Sequence, residues 1–188
     1  MTAILTGGFT DPARQSAHAF RALLEAMARP GRIHQVAGAL PPAPLSIAAG
    51  VTLLTLADAT TPLHLAGGCD REELRGWIAF HCGSPLVGPE EAQFVLGAWE
   101  DLHPLSRFRT GEPAYPDRSA TLIVEMPQLT ATGARLTGPG IERDAQLSLP
   151  ETAAFQANRA LFPLGFDVIL TCGDTLAALP RSTRVEAN

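Results

Sequence analysis

Arginine is the residue type in this sequence best suited to binding an anion, because every permanently basic side chain in the sequence is an arginine. All 14 such residues of the 188-residue chain are arginines, and the sequence contains no lysine. A Schiff-base lysine and a P-loop lysine are therefore excluded. Recognition of a phosphate group would have to use guanidinium groups, backbone N–H groups or a metal ion.

Four arginines lie beside predicted element ends, where the loops of α/β sheets usually carry ligand-binding groups. Arg29 and Arg32 flank a Pro-Gly helix stop, while Arg118 precedes a predicted strand and Arg181 follows the last one. We predict these four as candidate anion-binding or ligand-binding residues. The alternative for each is a surface arginine with ordinary ion pairs. The Gly-Pro-Gly sequence at residues 138–140 forms either a sharp corner or a loop whose N–H groups meet an anion or a partner.

No other set of residues predicts a catalytic, cofactor or metal site. His81 and Cys82 are adjacent, but neighbours on a helix point about 100° apart and rarely face each other. Together with His64 and Cys69 they lack a zinc-ligand spacing. Ser84 is not in a GxSxG motif, and the sequence has no GxGxxG or GxxxxGK motif. We therefore predict no catalytic residue, no cofactor and no metal.

Helical and strand patterns alternate along much of the sequence, which favours an α/β fold with helices on both faces of a sheet. The apolar run at residues 120–126 predicts a strand buried on both faces, and residues 135–137 are expected to return as a second strand after a turn. Such hairpins indicate a mixed sheet. Further helices are predicted near residues 12–28, 45–58 and 151–161 and between a start at Asp70 and a stop at Gly83, although the second half of 45–58 could also form a strand. Further strands are predicted near residues 32–36, 62–66, 92–97, 166–171 and 176–179, and a loop over residues 101–116.

Two details of the predicted helices concern their ends and faces. Asp11 is expected to cap the first helix, with Pro12 in its first turn. Asp70 and Glu73 have the spacing of a capping box at the start of a later helix. In the first helix, one apolar face is expected to pack inward, and it consists of Ala13, Ala17, Phe20, Leu24 and Met27.

The composition limits the classes of partner. The net charge is −5, so no general basic surface for nucleic acid is expected. No stretch is long and apolar enough for a membrane span, and the beginning of the sequence lacks a signal-peptide pattern. Three cysteines without a CxxC motif indicate reduced thiols in a cytoplasmic protein. We expect a single domain over residues 1–188, with part of its surface covered by another subunit because only 18% of residues are charged.

Seven stretches, in order along nearly the whole chain, together form a recognisable pattern. They are residues 8–12 (GFTDP), 20–33 (FRALLEAMARPGRI), 77–83 (WIAFHCG), 119–123 (SATLI), 136–141 (LTGPGI), 162–167 (FPLGFD) and 178–181 (ALPR). This pattern resembles the family of the phosphonate metabolism protein PhnH. Cys82 and Ser182 stand where that family often has threonine.

The resemblance implies a fold similar to the large domain of pyridoxal-phosphate (PLP)-dependent transferases, but without PLP. It also implies a homodimer that joins the G, I and J subunits of the carbon–phosphorus lyase core complex. That complex forms α-D-ribose 1-methylphosphonate 5-triphosphate from ATP and methylphosphonate. We expect this chain to be an accessory, non-catalytic subunit, and the resemblance supplies no catalytic residues.

Two alternatives remain open at this point. One is a stand-alone protein that binds a phosphate or phosphonate through Arg29, Arg32 and Arg118. The other is a free-standing enzyme, of which the Schiff-base version is excluded by the missing lysine, leaving a thiol enzyme based on Cys82.

Overall fold

The computed structural model describes residues 5–187, which contain four α-helices and eleven strands. The helices are α1 (Pro12–Ala28), α2 (Ile47–Leu56), α3 (Glu72–His81) and α4 (Thr152–Ala160). The strands are β1 (His34–Gln35), β2 (Leu63–Leu65), β3 (Phe94–Ala98), β4 (Thr110–Glu112), β5 (Tyr115–Ser119), β6 (Thr121–Glu125), β7 (Ala134–Thr137), β8 (Ala145–Leu147), β9 (Asp167–Cys172), β10 (Thr175–Leu179) and β11 (Arg184–Glu186).

The main sheet has six strands in the order β1-β10-β9-β6-β3-β2. Strands β2, β3, β6 and β9 pair in parallel, whereas β10 is antiparallel to β9 and to β1. The prediction of a mixed sheet in an α/β fold is therefore confirmed. The predicted buried strand is β6, which pairs on one side with β3 and on the other with β9.

Alternate residues of the central strands face two separate halves of the core. In β6, Leu122 and Val124 pack on one side of the sheet, and Ile123 packs on the other. Helices α1, α2 and α3 cover the Ile123 side. Phe155 of α4 packs on the opposite side, together with a second sheet in the order β11-β7-β8. Helices thus lie on both faces, but the sequence did not predict the small second sheet.

The predicted return strand forms, but its predicted pairing is wrong. Residues 134–137 are β7, which pairs with β8 and β11 rather than with β6. Both edges of β6 are already occupied by parallel neighbours, so no edge remains for a hairpin partner. The predicted loop at residues 101–116 is also partly wrong, because these residues contain β4 and the first two residues of β5. The two strands pair as an antiparallel hairpin.

The predicted start of α1 is confirmed, but its predicted buried face is wrong. Asp11 is the N-cap residue, and its side chain accepts a hydrogen bond from the backbone N–H of Arg14. Ala19, Leu23 and Ala26 form the buried face. Each of them comes one residue before a position predicted to be buried, so the helix is rotated by about 100° from the predicted orientation. The small alanines allow α1 to approach α2 and β10 closely.

The predicted capping box at the start of α3 is wrong. Arg71 occupies the N-cap position, and no side chain caps the helix there. The Asp70 carboxylate is instead bound by the Arg75 guanidinium. Glu72 and Glu73 lie in the first turn, where their charge favours the helix dipole. Among residues 5–187, no helix is both long enough and apolar enough to cross a membrane.

Candidate functional site

Arg181, two residues after the end of β10, connects strands β5 and β9. Its Nε donates to Asp167 Oδ1 at 3.1 Å, and one terminal nitrogen donates to Asp167 Oδ2 at 2.6 Å. The other terminal nitrogen donates to the carbonyl oxygen of Pro116 at 2.7 Å, and a further hydrogen bond reaches Ser119 Oγ. The side chain is only 13% exposed. Since both sides of the guanidinium group already have partners, Arg181 has little capacity left for a ligand.

Arg118 lies at a different place from the other candidates. Its guanidinium carbon is 4.0 Å from the centre of the Tyr115 ring, a cation–π contact. It lines a cavity of about 370 Å³ with Gln93, Arg109, Asp117 and Ser119. Arg181 donates a hydrogen bond to the Ser119 hydroxyl but does not line this cavity. The structure therefore separates Arg118 from Arg29 and Arg32.

Arg29 and Arg32 come together, and Arg143 joins them. The three arginines line a cavity of about 460 Å³, which we call the arginine pocket. Arg29 forms an ion pair with Glu25 at 3.2 Å. For the side chains of Arg32 and Arg143, no hydrogen bond or ion pair is found within residues 5–187. The complete lining is Arg29, Pro30, Gly31, Arg32, Gly140, Ile141, Glu142, Arg143, Asp144 and Ala145.

Two glycines hold the walls of the arginine pocket in contact. Gly31 has φ of +91°, and a Cβ there would overlap the Ala145 side chain. Gly140 has φ of +81°, and a Cβ there would overlap the Ala28 carbonyl oxygen. Both positions need glycine, since other residues rarely adopt positive φ. The Gly-Pro-Gly loop and the end of α1, noted separately in the sequence, thus meet at one place.

Arg143 is the pocket residue that sequence reasoning missed. It lies three residues after Gly140, the end of the Gly-Pro-Gly loop, and one residue before Asp144. The loop itself was recognised as a candidate for anion contact, so its neighbouring arginine was an available signal. The packing of Gly140 on Ala28 could not be read from sequence, because it joins segments more than 100 residues apart.

The surroundings of His81 and Cys82 indicate a structural role rather than a catalytic one. The His81 ring packs against Trp77 and Phe80, with ring centres 4.9 and 4.8 Å away, and its Nε2 hydrogen-bonds the Thr6 carbonyl oxygen. Burial raises the pKa of the Cys82 thiol to about 12 and, as the largest cause, that of the Cys69 thiol to about 11. Both thiols are therefore protonated at neutral pH and poor nucleophiles. In the described part of the chain, no three His, Cys, Asp or Glu side chains are grouped as metal ligands.

The solvent side of α1 carries an apolar stripe, which we call the α1 stripe. It consists of Ala13, Ala17, Phe20 and Leu24, at spacings of three and four residues along one helix face. Phe20 is 51% exposed and Leu24 is 56% exposed. Such a face on a helix is typical of an interaction surface.

Taken together, the structure is that of a mixed α/β protein with an arginine pocket and an exposed apolar helix face. A sequence model described as "Bacterial phosphonate metabolism protein (PhnH)" matches residues 7–186, and the chain belongs to this family.

Two curated relatives agree with this assignment. The chain is 38% identical over 194 aligned positions to a Rhizobium meliloti protein named "Alpha-D-ribose 1-methylphosphonate 5-triphosphate synthase subunit PhnH", covering 97% of this chain and 96% of the relative. It is 30% identical to a Stutzerimonas stutzeri protein named "Putative C-P lyase subunit protein HtxG", covering 89% of this chain and 84% of that relative.

Proposed function

We propose that this chain is a subunit of the carbon–phosphorus lyase core complex in phosphonate catabolism. In that role it is needed for forming α-D-ribose 1-methylphosphonate 5-triphosphate from ATP and methylphosphonate. The observation that carries the proposal is the near-full-length similarity to a protein named as a subunit of the corresponding synthase. A second relative, named as a putative C-P lyase subunit, supports the same pathway.

The role is accessory rather than catalytic in this proposal. The thiols of Cys82, which follows His81, and of Cys69 are held protonated at neutral pH, because burial raises the pKa of each. Arg181, one of the candidate ligand residues, already binds Asp167. These features favour a protein that acts by docking, and the partners that we propose are a second copy of the chain and the G, I and J subunits.

The α1 stripe is the surface that we assign to another subunit of the complex. A symmetric dimer through this stripe would place the same patch on both copies, and so would bring its flanking Arg14 and Arg21 near the flanking arginines of the other copy. Both arginines are exposed, and the hydrogen bonds and ion pairs found within residues 5–187 include none from their side chains. A partner with acidic side chains around an apolar centre fits this arrangement better.

Three finer proposals accompany this function. The chain forms one domain over residues 1–188, and it acts in the cytoplasm. Its sheet and helices resemble the large domain of PLP-dependent transferases without binding that cofactor. The absence of lysine from the sequence supports the last point, since PLP enzymes hold their cofactor as a Schiff base with lysine.

Co-purification with the G, I and J subunits tests the proposal. The wild-type chain should associate with them, and the double substitution Phe20→Ser with Leu24→Ser should weaken association at least about tenfold by removing two apolar contacts. A matched control is Leu161→Ser with Phe162→Ser, which removes the same two residue types at 48% and 50% exposure elsewhere on the surface.

The possible results test the subunit role and the assignment of the α1 stripe separately. If the wild-type chain does not associate, and deletion leaves growth on phosphonate unchanged, the subunit role is wrong. If both double variants associate normally, or lose association equally, the assignment to the α1 stripe is wrong. Loss of self-association alone in the Phe20/Leu24 variant would assign the stripe to the homodimer instead.

The arginine pocket favours a second candidate function, a stand-alone phosphate- or phosphonate-binding protein. Arg32 and Arg143 present guanidinium groups at a cavity large enough for a small molecule. This candidate predicts that the isolated chain binds its ligand and that deletion of the other subunits does not affect binding.

A further inference from the structure

We propose that Arg32 and Arg143, with Arg29 beside them, bind the phosphorus oxyanion of a small molecule, namely a phosphonate or a phosphate ester. The inference deepens the proposed function by naming a ligand class, and it rests on that function only for the source of the ligand. It does not require this chain to be catalytic.

The two walls of the arginine pocket are fixed relative to each other. Arg29 and Arg32 lie on either side of the Pro30-Gly31 turn, and Arg143 lies on the loop between β7 and β8. Gly31 packs against Ala145, and Gly140 packs against the Ala28 carbonyl group. The backbone that carries the three arginines is therefore held in place before any ligand arrives, which reduces the entropy lost on binding.

Two guanidinium groups at the arginine pocket, those of Arg32 and Arg143, are not engaged in hydrogen bonds or ion pairs within residues 5–187. The Arg29 guanidinium forms an ion pair with Glu25, and the Asp144 carboxylate lies 3.8 Å from the Arg135 guanidinium. The charges of Arg29 and Asp144 are therefore largely balanced. The remaining charges in the lining are Arg32, Arg143 and the carboxylate of Glu142. Their sum is one positive charge, and each guanidinium group can donate two parallel hydrogen bonds to oxygens of the same phosphorus atom.

One feature opposes anion binding. The arginine pocket lies at the C-terminal end of α1, where the helix dipole presents partial negative charge. This partial charge is about half an elementary charge, and it is spread over the last carbonyl groups. The two uncommitted arginines outweigh it, but the affinity is expected to depend strongly on salt.

The size of the pocket indicates an organic ligand rather than free phosphate alone. Its volume of about 460 Å³ lies within the range of small-molecule sites and exceeds what one phosphorus oxyanion fills. Pro30, Ile141 and Ala145 provide apolar lining for the remainder of the ligand. The separate cavity at Arg118 is smaller, about 370 Å³, and Tyr115 already covers one face of that guanidinium group.

Calorimetric titration of the isolated full chain at low ionic strength tests the inference. The probes are inorganic phosphate, methylphosphonate and ribose 5-phosphate, which share the oxyanion and differ in the group attached to it. Arg32→Gln with Arg143→Gln should weaken binding of the preferred probe at least about tenfold, because charge-assisted hydrogen bonds are lost. Glu142→Gln should tighten binding, because it removes a negative charge from the lining.

The matched control is Arg21→Gln with Arg184→Gln, which removes two exposed arginines that do not line the pocket. This variant should lose less affinity than the Arg32/Arg143 variant, since neither arginine lines the pocket and each contributes only long-range attraction. Absence of binding by all three probes would overturn the inference, as would equal losses in the two double variants. Because the isolated chain is used, failure here is distinguishable from failure to associate with other subunits.

Discussion

At the scale of single residues, Arg181 shows how an apparent ligand-binding side chain can be structural. It binds both oxygens of Asp167 and also reaches Pro116 and Ser119. Asp167 begins β9, while Pro116 and Ser119 belong to β5. One guanidinium group therefore joins the main sheet to the β4–β5 hairpin, and its loss would leave a largely buried carboxylate without its partner.

We expect Arg181→Gln to lower the free energy of unfolding by about 3 kcal/mol, since breaking a mostly buried ion pair leaves an uncompensated charge. Urea unfolding measured at neutral pH checks this value. Arg184→Gln is the control, because Arg184 is exposed and should change stability by less than about 0.5 kcal/mol. Equal stability of the two variants would contradict the structural role of Arg181.

Glu125 is a second residue whose surroundings should affect stability, through the pKa of its carboxyl group. Its carboxylate lies at the end of β6, accepts a hydrogen bond from the Ser46 backbone N–H at 2.7 Å, and receives one from the Thr171 hydroxyl at 3.3 Å. Burial is the largest influence and raises its pKa above the ordinary value of 4.5. Between pH 4.5 and the raised pKa of the folded state, the folded protein keeps a proton on Glu125 that the unfolded chain has lost.

Glu125 should therefore stabilise the fold most at pH below about 4.5 and lose that contribution as the pH rises through its folded pKa. We expect Glu125→Gln, whose amide can keep both contacts, to become more stable relative to wild type as the pH is raised from about 4.5 to neutral. Urea unfolding at several pH values measures this difference. A stability difference between Glu125→Gln and wild type that does not change with pH would contradict the prediction.

At the scale of elements, contact between the end of α1 and the β7–β8 loop defines the arginine pocket. Gly140 makes this contact possible, because its φ of +81° and its closeness to the Ala28 carbonyl leave no room for a side chain. The Gly-Pro-Gly sequence is thus a requirement of packing. Its effect on the neighbouring arginines follows from that packing.

Gly140→Ala should lower the free energy of unfolding by about 2 kcal/mol, because alanine is strained at positive φ and overlaps the Ala28 carbonyl. Thermal or urea unfolding would measure the change. The control Gly88→Ala meets nothing within 4 Å of its added Cβ and should be within about 0.5 kcal/mol of wild type. A neutral Gly140→Ala would show that the two loops are not held together as described.

Local signals predicted the elements better than their arrangement. Asp11 caps α1 and the apolar run at residues 120–126 contains the buried strand β6, as predicted. Both features could be predicted because they depend on residues close in sequence. The partner strands of β7 and the meeting of Arg32 with Arg143 depend on long-range packing that a single sequence does not specify. The buried face of α1 was misassigned because the helix has two neighbouring apolar stripes and buries the one with the smaller side chains.

At the scale of the whole molecule, the low proportion of charged residues has a partial structural explanation. The main sheet is covered on both sides, by α1–α3 on one and by α4 with a second sheet on the other, so many apolar residues are internal. Several large apolar side chains nevertheless remain at the surface, including Phe20, Leu24, Leu40 and Phe80. That part of this surface is covered by another subunit stays a prediction, which the co-purification experiment addresses.

Helix α1 carries both the α1 stripe and one wall of the arginine pocket. Leu24 precedes Arg29 by five residues, which is a rise of about 7.5 Å along the helix and a rotation of about 140° around it, so the two lie close in height but on different sides. A companion confined to the α1 stripe would therefore leave the cavity open to solvent. Assembly and ligand exchange would then be independent, with the anion released as quickly from the joined particle as from the free chain.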